Sequence, residues 1–260
     1  MPEEILRPVL KDKKALVIGV ANEHSIAYGC ARAFRELGAE LALTYLNEKA
    51  RPHVEPLATE LEASMLLPLD VSRPGELESV FDRIAREWNH LDILVHSIAF
   101  APKEDLQGGL LDCSASGFAI AMDVSCHSFV RMARLAAPLM KDGGAMFAMS
   151  YHGAQKVVPS YNVMGPVKAA LEACCRYLAY ELGPRKIRVH AISPGPLKTR
   201  AAGGLKDFDR LLNDAVERAP VGALVDVMDV GFTCAFLATT FARRVTGQTV
   251  YVDGGISAMA

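Results

Sequence analysis

The chain has no C-x-x-C pair, although it holds six cysteines: Cys30, Cys113, Cys126, Cys174, Cys175 and Cys234. Thiols scattered in this way argue against a zinc cage or a disulfide framework and point to reduced cysteines in a cytosol. It has no surplus of charge either. The formal net charge is −2, which gives no reason to expect nucleic acid or another polyanion as a partner. No uninterrupted apolar run reaches the roughly 18–20 residues of a membrane span. Met1–Lys14 holds no stretch resembling the core of a signal peptide. Low-complexity tracts, linkers and short repeats are missing as well. Together these absences predict a soluble, cytoplasmic protein without a metal centre or a membrane. What is present suits a large core: 260 residues, 51% hydrophobic and 22% charged, enough for one sizeable domain.

Short apolar runs alternate with amphipathic segments. Ala15–Val20, Glu40–Tyr45, Met65–Val71, Leu91–Ser97, Gly144–Ser150, Ile187–Ser193 and Thr249–Gly255 read as strands. Between them, Ser25–Leu37, Val54–Leu61, Glu76–Trp88, Ser116–Leu139 and Tyr161–Leu182 read as helices, with two more near Phe208–Arg218 and Asp226–Leu237. Strand and helix repeated in this order predict one α/β domain over residues 1–260. The expected architecture is a Rossmann-type, doubly wound, seven-stranded parallel sheet with helices on both faces. Ligands in such folds bind beyond the carboxyl ends of the strands, so the residues after each strand carry the functional signal.

The first strand runs into G-V-A-N-E-H-S-I-A-Y-G at Gly19–Gly29, which is not G-x-G-x-x-G. A glycine at the strand end and Ser25-Ile26 at a helix start suit a pyrophosphate on backbone N–H groups; an ordinary turn with an N-cap serine fits equally well. After the second strand Leu46 stands where a ribose-binding acid is usual, and Glu48 comes late. No arginine cluster is there for a 2′-phosphate, which favours NADH over NADPH. Asp70-Val71 follows the third strand, either as an adenine contact or as a turn cap. His96 closes the fourth strand with nothing to orient it, and reads as a packed residue rather than a catalyst.

Five segments add a more specific signal: Gly19–Gly29, H-S-I-A-F-A-P at His96–Pro102, S-Y-H-G-A at Ser150–Ala154, Y-N-V-M-G-P-V-K at Tyr161–Lys168, and S-P-G-P-L-K-T at Ser193–Thr199. In this order and spacing the chain resembles the short-chain dehydrogenase/reductase superfamily. More narrowly, it resembles the bacterial NADH-dependent enoyl-acyl carrier protein reductases of fatty acid synthesis. The resemblance implies Tyr151 and Tyr161 as active-site tyrosines and Lys168 as the lysine that anchors the cofactor. It implies an NADH site along Gly19, Ser25, Ile26, Asp70, Val71, Ser97, Ile98 and Leu197-Lys198-Thr199-Arg200-Ala201, with Ala101, Tyr151 and Tyr161 at the substrate. It also implies an acyl carrier protein as partner and a homotetramer. His152, Ala99 and Leu46 depart from the usual pattern of that family, which bears on acyl and cofactor preference.

The tyrosine and lysine of Tyr161–Lys168 are seven residues apart, where most of the superfamily has four. On one helix both spacings keep the pair on one face, at about 400° and about 700° of turn. Three extra residues move the phenol about 4.5 Å along the axis. A 2-enoyl thioester takes hydride at C3 and gathers charge on the C1 oxygen, further from the nicotinamide than a ketone's oxygen, and the longer spacing suits it. Beyond Pro194-Gly195-Pro196, residues 197–218 are expected to form a lid over an acyl chain. Lys198, Arg200, Lys206 and Arg210 there are candidates to meet an acidic carrier, or are ordinary solvated charges. Two rivals remain open: a 3-oxoacyl reductase of the same superfamily, and a cofactor-binding regulator without catalysis.

Overall fold

A computed structural model of the protein describes residues 8–197, 212 and 215–259. Seven strands form one sheet: β1 (Lys14–Ile18), β2 (Glu40–Tyr45), β3 (Met65–Pro68), β4 (Ile93–His96), β5 (Gly144–Met149), β6 (Ile187–Pro194) and β7 (Thr249–Val252). All neighbours pair in parallel, in the order β3-β2-β1-β4-β5-β6-β7. The labelled helices are α1 (Ile26–Glu36), α2 (Arg51–Glu60), α3 (Glu76–Trp88), α4 (Lys103–Gln107), α5 (Ala115–Met122), α6 (Ser128–Ala136), α7 (Met164–Leu182) and α8 (Val227–Ala238).

The strands read as continuous apolar runs because both faces are covered. Leu16, Ile18, Leu94 and Met146 pack on one side with Phe81, Phe129 and Leu171 of the helices. Their alternates Val17, Val95 and Phe147 pack on the other with Phe34 and Val230. The strand order reverses between β1 and β4, and that switch point opens a crevice at their carboxyl ends. Helix α8 lies directly on α1: a Cβ at Gly29 would stand 2.1 Å from the Val227 carbonyl oxygen. The second glycine of the first motif therefore serves helix packing.

The single helix expected over Ser116–Leu139 is divided. Between α5 and α6, Asp123–His127 form a π-helical turn, and Ala137–Leu139 close as a 3₁₀ turn. The wider turn carries Ser125, whose hydroxyl accepts from the Phe100 N–H at 2.8 Å and donates to the Phe100 carbonyl at 2.9 Å. The helical path bends its hydrogen bonding to hold the segment that follows β4.

Candidate active site

A cavity of about 370 Å³ lies at the carboxyl ends of β1, β4, β5 and β6. Gly19, Ser25 and Ile26 border it from the β1–α1 connection, and Ser97, Ile98 and Ala101 from the segment after β4. Tyr151, Tyr161 and Lys168 line it as well, and Leu197 joins them beyond β6. The structure thus gathers ten of the expected site residues from separate crossovers. Asp70 and Val71 do not line this cavity. The Asp70 carboxylate accepts from the Ser72 N–H and hydroxyl at 3.0 and 2.6 Å, the turn-capping alternative. Val71 is buried in the core beside α3. Lys198, Thr199, Arg200 and Ala201, with Lys206 and Arg210, lie outside the described residues.

Gly19 has φ +109°, and a Cβ there would stand 2.1 Å from the Ser97 carbonyl oxygen. Only glycine lets the ends of β1 and β4 approach so closely, and Gly19 puts no side chain of its own into this floor. Ser25 occupies the N-cap position of α1 but makes no cap bond with its side chain. Its hydroxyl turns back to donate to the Asn22 carbonyl at 2.5 Å.

Lys168 is buried in α7, and its ammonium donates to the Met149 carbonyl at 2.6 Å. Removal from water disfavours the charged form and lowers its pKa to about 8. Tyr151 and Tyr161 meet ring to ring, with centroids 4.8 Å apart and planes tilted by 59°. Burial pushes Tyr151 up to about 12, and burial followed by the neighbouring Tyr151 raises Tyr161 as well. Both phenols are therefore proton donors at neutral pH. His96 is packed, as its sequence context suggests. Its ring lies edge-on to Phe129, and burial lowers its pKa to about 3. The Ser128 hydroxyl donates to the Val124 carbonyl, so the His96 Nε2, 2.8 Å from that oxygen, is the donor to it.

One expectation is corrected. The helix that carries Lys168 begins at Met164, not at Tyr161. Ser160 and Asn162 have φ +64° and +44°, and the Asn162 side chain donates to the Leu106 carbonyl at 2.8 Å. Tyr161 therefore sits in a tight turn tied to α4, and a rise per residue along α7 does not describe its distance from Lys168. Packing brings the phenol in instead. Its ring lies against Gly153, where a Cβ would be 2.4 Å from Cδ1. Sequence reasoning also missed Leu106, Met149 and Met164 in the cavity wall. Nothing distinguished them from ordinary core residues.

The doubly wound sheet, the glycine floor at its switch point, and the tyrosine and lysine converging at its carboxyl edge define the short-chain dehydrogenase/reductase class of fold. A family model described as enoyl-(acyl carrier protein) reductase matches residues 19–257, and the chain belongs to that family. A relative from Aquifex aeolicus, an NADH enoyl-[acyl-carrier-protein] reductase, is 44% identical over 96% of this chain and 93% of its own. The enoyl-(acyl carrier protein) reductase of Anaplasma phagocytophilum, solved in complex with NAD, superposes with a TM-score of 0.91 at 42% identity. That match covers 97% of this chain and 94% of its own. The Bacillus cereus enoyl-acyl carrier protein reductase, solved with NADP⁺ and indole naphthyridinone, gives a TM-score of 0.94 at 41% identity. It covers 97% of this chain and 99% of its own.

Proposed function

We propose that the chain is an enoyl-[acyl-carrier-protein] reductase that uses NADH to saturate a trans-2-enoyl thioester during fatty acid elongation, with Tyr151, Tyr161 and Lys168 as its working side chains. The observation that carries this reading is their convergence in one cavity with the Gly19–Ser97 floor. The site suits a dinucleotide on its own chemistry. The Lys168 ammonium has three donors, and the Met149 carbonyl accepts one of them. When bound, NADH supplies the hydride that adds to C3 of the enoyl group.

The chain's residues do the rest. Lys168 holds the nicotinamide ribose hydroxyls and places a positive charge near the reacting centre. Tyr161 donates a hydrogen bond to the thioester oxygen, where negative charge gathers as C3 is reduced, and the resulting enolate takes up a proton at C2 to give the saturated thioester. Tyr151 supports the Tyr161 ring and shapes the acyl side, with Ala101 opposite. Gly19, Ser25, Ile26, Ser97, Ile98 and Leu197 bind the cofactor's backbone and ring. Asp70, Val71 and Lys198–Ala201 complete the cofactor site in this proposal on the family resemblance alone. NADH is preferred because Arg51, a cation near the end of β2 that lies over the Tyr45 ring at 5.9 Å, is matched by the carboxylates of Glu48 and Glu55 at 3.8 and 3.2 Å, and Leu46 at the strand end is apolar and exposed.

The substrate is carried by an acyl carrier protein, and we place the reaction in the cytoplasm. No helix among the described residues is long and apolar enough to cross a membrane. One catalytic domain spans the chain. A homotetramer is supported by large apolar residues left exposed on several elements: Phe118 and Ile120 of α5, Tyr177 and Tyr180 of α7, Phe236 of α8 and Phe241 after it. A tetramer of dihedral symmetry needs two distinct self-complementary patches.

The test is NADH oxidation followed on crotonyl and acetoacetyl carrier thioesters in parallel, with NADPH as a control. Fast oxidation on the crotonyl thioester alone is expected. Turnover only on the acetoacetyl thioester favours a 3-oxoacyl reductase, and NADH binding without turnover on either favours a regulator.

A further inference from the structure

Glu172 stands four positions after Lys168 on α7 and is 3% exposed. A carboxylate this deeply buried is tolerated only when its oxygens are hydrogen-bonded or its charge is matched. The first condition is met by residues of the active site. The Ser150 hydroxyl donates to Oε1 at 2.6 Å, and the Gln155 amide donates to Oε2 at 3.1 Å. Ser150 lies between Met149, whose carbonyl receives the Lys168 ammonium, and Tyr151. Gln155 follows the 3₁₀ turn His152–Ala154, which contains the Gly153 that seats the Tyr161 ring. One carboxylate therefore clamps both ends of the short segment on which both tyrosines and the lysine's acceptor depend.

We propose that Glu172 is a positioning residue of the reductase site: its two oxygens fix segment 150–155 against α7, and its charge balances the buried ammonium of Lys168. The proposal rests on the reading of this cavity as an NADH site. The groups facing Lys168 come from three elements. On α7 they are Glu172 and Cys175, from the π turn Cys126, and from β4 His96. Burial holds the Cys175 thiol protonated; for Cys126 the contact with Cys174 does so first, then burial. His96 is neutral, so among these groups Glu172 carries the opposing charge. Glu172 itself is faced by Tyr251 of β7 and by His152, whose pKa burial lowers. Burial pulls the Lys168 pKa down to about 8, and the Glu172 charge works against that pull.

The experiment is a fluorescence titration of NADH binding from pH 6 to 10, with kcat and KM for a crotonyl thioester over the same range. The proteins are the wild type, Glu172→Gln, Glu172→Asp and Ser150→Ala. Lys168 is charged below its pKa and neutral above it, so NADH affinity falls as pH rises through that value. Glu172→Gln keeps the shape and removes the charge. Its alkaline limb is expected to move to lower pH, which weakens NADH binding on the alkaline side and little at pH 6. Glu172→Asp keeps the charge, so its limb stays near that of the wild type while kcat falls. Ser150→Ala removes one tether but not the charge, and is expected to lower kcat at every pH without moving the limb. A limb in Glu172→Gln that coincides with the wild type overturns the proposal. Should that variant not fold, full kcat in both Glu172→Asp and Ser150→Ala overturns it. The NADH limb is read without acyl substrate, so a wild type that binds NADH but reduces no enoyl thioester counts against the reductase reading and leaves this test standing.

Discussion

A phenol in water loses its proton near pH 10, and the two at this site hold theirs more firmly still, Tyr151 up to about 12. That suits a hydrogen-bond donor to an acyl oxygen. Tyr161→Phe is expected to keep NADH binding and to lower kcat by about 100-fold, the scale of losing one donor to a developing oxyanion. Lys168→Ala is expected to weaken NADH binding and lower turnover together. Fluorescence titration and steady-state kinetics on the two variants separate the roles, and weak NADH binding in Tyr161→Phe would contradict its assignment. The identities of these residues were legible because their motifs are local. Glu172 was not. A lone glutamate in a helix pattern looks like solvated surface, and its partners Ser150 and Gln155 are distant in the chain. His96 was legible for the opposite reason: an apolar strand with no nearby acid leaves a histidine only packing to do.

Elements were read more accurately than their ends. β2 and α3 coincide with the sequence reading because each is bounded by clear stops, such as the left-handed Asn89 after α3. The sequence pattern puts Tyr161 inside α7 because the residues from Tyr161 onward are helical in character. The left-handed Ser160 and Asn162 are set by tertiary contacts that periodicity does not encode. The π turn between α5 and α6 was hidden in the same way, since it exists to bring Ser125 to Phe100. The contact of α1 with α8 gives the element-scale prediction. Gly29→Ala drives a methyl into the Val227 backbone and is expected to cost about 1–3 kcal/mol or more, as overpacked cores do. Thermal denaturation reads this as a lowered Tm, and an unchanged Tm would show that the two helices separate freely.

Across the whole molecule, the alternation of strands and helices was enough to give the sheet and its switch point, because parallel strands buried on both faces leave an unmistakable apolar signature. Assembly is a different matter, since exposed apolar residues on a single chain name no partner until symmetry is considered. Sedimentation equilibrium is expected to give about four times the 28.1 kDa chain mass. A monomer at micromolar concentration would contradict the tetramer. The central claim concerns which carbon is reduced, and isotopic labelling reads that directly. NADH deuterated at the transferring position, incubated with the protein and a trans-2-enoyl carrier thioester, is expected to yield a saturated acyl chain labelled at C3. An enoyl thioester recovered unlabelled, while a 3-oxoacyl thioester is converted to a 3-hydroxy product bearing the label, would contradict the account.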